Sequence, residues 1–194
     1  MKVTGGIAIT CGSRTGTAGV VVRHGTTRLL YTAGHVVGSA GDSVQAEGKR
    51  IGRVEINFLP VTDVALVRLD DHVDCNVNEV RVGKSVYADV RLANILPREE
   101  EVVVASSTTA SHGLVLDPQA AVTWHSQPRP GVSLANYFSE SGDGGAAVLS
   151  EDGDASTMLW GLHGGRTTVA GLDCAWFTPM ASVPTWEESD DGSS

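Results

Sequence analysis

The chain has only three cysteines, Cys11, Cys75 and Cys174, and none stands in a CxxC arrangement. Three cannot all pair, so a disulfide framework and a cysteine metal site are both poorly supplied. The thiols read instead as small buried or half-buried residues. A secreted domain of this size is usually stapled by disulfides, which points to a reducing compartment. Basic charge is scarce as well: 14 Lys and Arg stand against 23 Asp and Glu, a formal charge of -9. Nucleic-acid and membrane-surface binding need a basic face, so neither partner is expected. No run of about 18 apolar residues occurs, and no apolar segment follows the basic start, which argues against a membrane span and a signal peptide. A fixed-period repeat is missing too, which sets aside solenoids and propellers.

What is present favours strands. Hydrophobic residues make up 41% of the 194, enough for a sizeable core, and 23 glycines accompany many Val and Thr residues. Length alone allows one all-β domain, two small barrels sharing a cleft, or two independent domains. Short β-type runs bounded by turn residues are expected at 6–10, 19–23, 27–32, 43–46, 53–58, 63–69 and 85–92. In the second half they are expected at 101–106, 113–116, 120–124, 146–149, 158–162 and 174–179. His24-Gly25 marks a hairpin turn. Only 181–189 has a helical pattern, cut short by Pro184 to a closing turn or short helix. A charged stretch at 97–101 divides the chain into an N-terminal half, 1–97, and a C-terminal half, 98–183. An acidic flexible tail, 184–194, follows; its Trp186-Glu187-Glu188 has the composition of a self-processing site or a released polyprotein end.

Three segments carry the chemistry. Tyr31-Thr32-Ala33-Gly34-His35-Val36-Val37 is an apolar strand running through small residues into a histidine. Asp63-Val64-Ala65-Leu66-Val67-Arg68-Leu69 is an aspartate heading a nearly continuous apolar strand. Gly142-Asp143-Gly144-Gly145-Ala146-Ala147-Val148 is a glycine-rich turn feeding a strand. In this order they resemble the T-A-[AG]-H, D-[IV]-A-L and G-D-S-G-G-x-V signatures of the chymotrypsin-like serine endopeptidases. Each motif is weak alone; three in order at strand boundaries are specific. The likeness runs from about Gly5 to Pro184 and implies an all-β fold of two six-stranded antiparallel Greek-key barrels, with the active site between them.

The resemblance implies His35 as general base, Asp63 as its orienting carboxylate, and the amides of Gly142 and Gly144 as oxyanion donors. It also exposes a departure, because Gly144 stands where that family has its serine. Registers placing Asp143 or Ser141 there fit worse, and a carboxylate is a poor substitute in acyl transfer. A serine protease inactivated at one position, by design or in nature, is the expectation; the alternative is a natural pseudoprotease that binds peptides. Trp160-Gly161-Leu162-His163 resembles the Gly-x-His strand of viral and glutamate-specific members. There the histidine, with a hydroxyl five places before the nucleophile (here Ser139), binds Glu or Gln before the scissile bond. The same likeness suggests a cytoplasmic or intracellular setting, virus-encoded members included, and a peptide or polyprotein substrate. His24, His72, His112 and His125 have no ligand spacing, so no metal and no cofactor are expected. The segment 124–130 reads as a surface loop.

Overall fold

The computed structural model describes residues 2–107, 110–150 and 157–185. The tail from Trp186 onward, with its self-processing reading, lies outside the described residues, as does the end of the expected helix. The part within them is a single 3-10 turn, Met180–Ser182.

The first barrel is built from β2 (Ala8–Cys11), β3 (Arg14–Thr17), β4 (Val20–His24), β5 (Thr27–Thr32), β6 (Ser43–Ala46), β7 (Lys49–Asn57) and β8 (Ala65–Leu69). β1 (Val3–Gly5) precedes it. Alternation sets the faces of the outer strands: β6 points Val44 and Ala46 inward and Ser43 and Gln45 outward. β8 is buried along nearly its whole length, as its apolar run predicts. The hydrogen-bonded order is β3-β2-β6-β7-β8-β5-β4. β3 and β4 are two arms of one bent segment, broken only at Ala18 and Gly19. The Ala18 amide donates to Ile7 O at 2.9 Å and the Gly19 amide to Tyr31 O at 2.8 Å. The two ends of the row therefore belong to one strand, and six strands close into a barrel around Ile9, Val21, Leu30, Val44, Ile51 and Val67.

β9 (Cys75–Val82) and β10 (Ser85–Tyr87) join β1 in a small sheet on the way to the second barrel, and β11 (Arg91–Leu92) pairs with the edge of that barrel. The second barrel comprises β12 (Glu101–Ala105), β13 (Ala110–Trp124), β14 (Gln127–Ala135), β15 (Ala147–Ser150), β16 (Met158–Val169) and β17 (Leu172–Pro179). Its six strands run β16-β15-β12-β13-β14-β17 and close through β16 and β17. Trp160, Phe177, Tyr137, Val102, Val104 and Val148 fill it. A further cluster mixes both halves, with Val20 and Val64 packed with Leu149, Leu159 and Leu162. The two barrels thus share apolar contacts, which fixes the cleft between them.

Several expectations change. The runs at 113–116 and 120–124 are one 15-residue strand, β13. Asp117-Pro118 looks like a break, yet register shifts at Val115/Asp117 and Asp117/Ala120 absorb it as bulges, where proline is tolerated. The expected surface loop at 124–130 is instead the end of β13, a two-residue turn at His125 and Ser126, and the start of β14, paired from Trp124 with Gln127 to Ala121 with Pro130. The strands Val3–Gly5, Arg14–Thr17, Cys75–Val82 and Gln127–Ala135 were not anticipated, and 85–92 splits into two short pieces. All three cysteines are free.

The seam between barrels is tight at Gly19, where an added Cβ would lie 2.4 Å from Leu162 Cδ2 and 2.9 Å from Gly145 O. Gly19→Val should therefore cost about 1–3 kcal/mol by overpacking. Urea denaturation measures this, and an unchanged midpoint would contradict close packing at the seam.

Candidate active site

β5 delivers Ala33 and Gly34 into a 3-10 turn, Gly34–Val36, that holds His35 at the rim of the cleft. The Asn57 side-chain amide pins this turn by donating to Gly34 O and Gly38 O, both at 2.9 Å. Asp63 stands two residues before β8, with only 2% of its surface exposed. Its Oδ1 accepts the His35 backbone N–H at 2.9 Å, and its Oδ2 lies 2.7 Å from His35 Nδ1. A buried carboxylate accepts only, so Nδ1 carries the proton and the Nε2 lone pair is left to face the cleft.

That lone pair faces the glycine-rich turn. A Cβ on Gly144 would sit 2.6 Å from His35 Nε2. Gly142 and Gly145 have φ of 101° and 88°, the left-handed region where glycine is favoured. Gly144 is not among the positive-φ residues, so its backbone has no need of glycine. The turn's one conformationally dispensable glycine is the one beside the imidazole. Asp143 is fully buried, and its Oδ2 accepts the Glu140 N–H at 2.7 Å. This carboxylate buttresses the turn from within and does not face the cleft. Ser141 and Glu140 are exposed.

The turn is stitched to both barrels. Thr17 N–H donates to Gly144 O at 2.8 Å, and Thr17 Oγ1 donates to Gly142 O at 2.9 Å. On the other side, Gly145 N–H donates to His163 O at 2.8 Å. These bonds leave the turn little freedom to rearrange.

Ser139 and His163 line the same cavity, of about 420 Å³, as His35, Gly142 and Gly144. Ser139 Oγ is buried and has no hydrogen-bond partner among the described residues. His163 is 2% exposed, and its Nδ1 lies 2.9 Å from the hydroxyl of buried Tyr137. Burial, and then the nearby Asp143 charge, push the Tyr137 pKa well above its ordinary value, so the phenol keeps its proton. A phenol donates better than it accepts, so Tyr137 O–H bonds to Nδ1 and the His163 proton sits on Nε2. Burial lowers the His163 pKa to about 4. Its ring is therefore a neutral donor at ordinary pH.

Sequence reasoning missed three contributors. Thr17 lies in an unanticipated strand, and nothing local marked Tyr137 as a partner of His163. Trp124 was read as part of a surface loop; instead its ring packs 4.7 Å from that of His35, and an added Cβ on Gly165 would lie 3.0 Å from its Nε1. The hairpin turns at His125 and Ser126, with φ of 47° and 62°, the left-handed pair that a two-residue hairpin needs. Neither residue advertises that turn, as Asn-Gly would. A larger recess of about 1000 Å³ lies on the first barrel beside Arg14, Asp42 and Asn57, but it holds neither His35 nor Gly144. Chemistry, rather than size, selects the smaller cavity.

The sequence matches no protein-family model and no curated protein. Solved structures do match. Thermobifida fusca protease A superposes with a TM-score of 0.76 at 22% identity, over 93% of this chain and 92% of that one. Cellulomonas bogoriensis chymotrypsin gives 0.75 at 23%, over 92% of both chains. A glutamic-acid-specific serine protease that uses a histidine triad in substrate binding gives 0.75 at 26%, over 91% of this chain and 93% of that one.

A histidine held neutral by burial makes stability depend on pH. Above the unfolded value of about 6.5 both states are neutral and nothing is lost. As pH falls from 6.5 towards 4, the unfolded chain takes up a proton that folded His163 refuses, so stability should fall. The total is on the order of 3 kcal/mol. Denaturation across this window should show a shallower slope for His163→Gln; an identical slope would mean that His163 titrates normally in the folded protein.

Proposed function

We propose, from the fold it shares with the chymotrypsin-like serine proteases, that this chain is a serine endopeptidase by the layout of its site, with the covalent step lost at Gly144. The cleft that remains binds peptides carrying Glu or Gln before the scissile bond. The observation that carries this reading is Gly144 itself, whose backbone accepts a side chain and whose missing Cβ would point at His35 Nε2.

With serine at 144, the chemistry follows from the geometry. The hydroxyl attacks the scissile carbonyl while His35 Nε2 takes its proton, and Asp63 Oδ2 stabilises the imidazolium through Nδ1–H. The Gly142 and Gly144 amides bind the developing oxyanion. His35 then protonates the leaving amine, and water completes the cycle by the same route. Cβ at 2.6 Å from Nε2 is too close for both rings and chain to stay put, so the imidazole must withdraw by a few tenths of an ångström.

Substrate binding has two supports. Among the described residues β15 pairs with β16 only as far as Leu162, so one edge of β16 beyond His163 carries no strand there and can take an added peptide strand. Beside it, His163 Nε2–H and the unpartnered Ser139 hydroxyl can both donate to a side-chain oxygen, which Glu and Gln share. Arg166 and the exposed Glu140 line the same cavity. The glutamic-acid-specific neighbour uses a histidine triad in substrate binding. Here Tyr137 is the partner of His163. The second reading, a natural peptide-binding pseudoprotease, is favoured by the same open cleft and by an intact binding side.

Gly144→Ser is expected to react with a fluorophosphonate probe and to cleave peptides after Glu or Gln, with cleavage falling at least tenfold on adding His163→Ala. A folded Gly144→Ser protein that does neither, while the original chain binds such peptides, would overturn the endopeptidase reading in favour of the pseudoprotease.

A further inference from the structure

Replacing the nucleophile does not remove the base. His35 keeps its carboxylate partner at 2.7 Å, and its Nε2 addresses the space that a side chain at 144 would fill. That space opens into the cavity lined by His35, Gly142 and Gly144. Trp124 covers one side of the imidazole, so the ring is steadied from a second direction. We propose that, with glycine at 144, the cleft hydrolyses activated carboxylic esters by direct attack of water, with His35 as general base and no acyl-enzyme.

The step balances without any other reactant. A water molecule donates a hydrogen bond to Nε2, and its oxygen attacks the acyl carbon as Nε2 takes the proton. The carbonyl π electrons move to oxygen, and the oxyanion rests on the Gly142 and Gly144 amides. Collapse re-forms the carbonyl, breaks the bond to the leaving alkoxide or phenolate, and returns the imidazolium proton to it. Ester and water become acid and alcohol, and the site is unchanged. Amides differ because a poor leaving amine must be protonated as it departs, while water is a weaker and less well-held nucleophile than a serine hydroxyl. Peptides are therefore bound and released intact, whereas a p-nitrophenyl ester, whose phenolate leaves unaided, turns over. Part of a protease's rate enhancement survives loss of its catalytic side chains for the same reason, since the oxyanion site and binding persist.

This inference rests on the roles given above to His35, Asp63 and the glycine-rich turn, but not on the Glu or Gln preference. The test is steady-state hydrolysis of p-nitrophenyl acetate by the chain as it stands, after iodoacetamide treatment to silence half-buried Cys75. His35→Gln should lower the rate by about 10²-fold, the usual contribution of a positioned base. Gly144→Ala should lower it comparably, because its methyl takes the place of the attacking water; the backbone there admits a side chain, so this variant decides the matter if His35→Gln fails to fold. His72→Gln, an exposed histidine far from these roles, should leave the rate unchanged. A fluorophosphonate should not inhibit.

Equal rates in all folded variants would overturn the proposal. So would a burst of p-nitrophenol stoichiometric with protein, which would mean that a protein group is acylated. If Gly144→Ser cleaves peptides while the glycine chain shows no His35-dependent ester hydrolysis, only this inference fails. If neither reaction occurs, the endopeptidase reading fails with it.

Discussion

The geometry of this cleft hangs on Thr17. Its backbone N–H and its hydroxyl hold two successive parts of the glycine-rich turn, through Gly144 O and Gly142 O. Its own carbonyl accepts the Thr32 hydroxyl at 2.8 Å, just before the segment that carries His35. One residue of the first barrel therefore helps set the distance between the His35 imidazole of that barrel and a turn of the second. The bonds are individually modest, about 1 kcal/mol each, but they are buried or part-buried and mutually consistent. Gly145 completes the arrangement: a Cβ there would lie 2.2 Å from Thr32 Oγ1 and 2.4 Å from Thr17 O, so the chains approach as closely as backbone permits.

Much of this was legible in the sequence because the informative residues are local. A histidine after small residues, an aspartate before an apolar strand and a glycine-rich turn each announce themselves within seven residues. Alternation and buried runs likewise gave most strands of both barrels. Long-range partners left no such trace. Tyr137 meets His163 across 26 positions, and Thr17 meets Gly142 across 125. β13 reads as two runs because Asp117-Pro118 interrupts its strand pattern, whereas cross-strand pairing decides the outcome through bulges. Trp124 escaped for a related reason, since the turn beside it uses residues that do not favour its conformation and the reward is a distant contact with His35.

Two imidazoles in one cavity have opposite settings, and their surroundings explain the division. His35 is half-buried and holds a carboxylate through Nδ1, which leaves its Nε2 towards the glycine-rich turn. His163 is almost fully enclosed and holds a phenol, which fixes it as a neutral donor. The polar partner, more than the ring, determines which chemistry each can perform.

The open edge of β16 beyond His163 has a consequence for the molecule in bulk. An exposed strand edge is a template for any extended chain, including another copy of itself. This one is short, interrupted by Gly164 and Gly165, charged at Arg166 and roofed by the indole of Trp124. Those features keep this edge from growing into a sheet between molecules. At high concentration, colloidal behaviour and ligand access are governed by the same few residues.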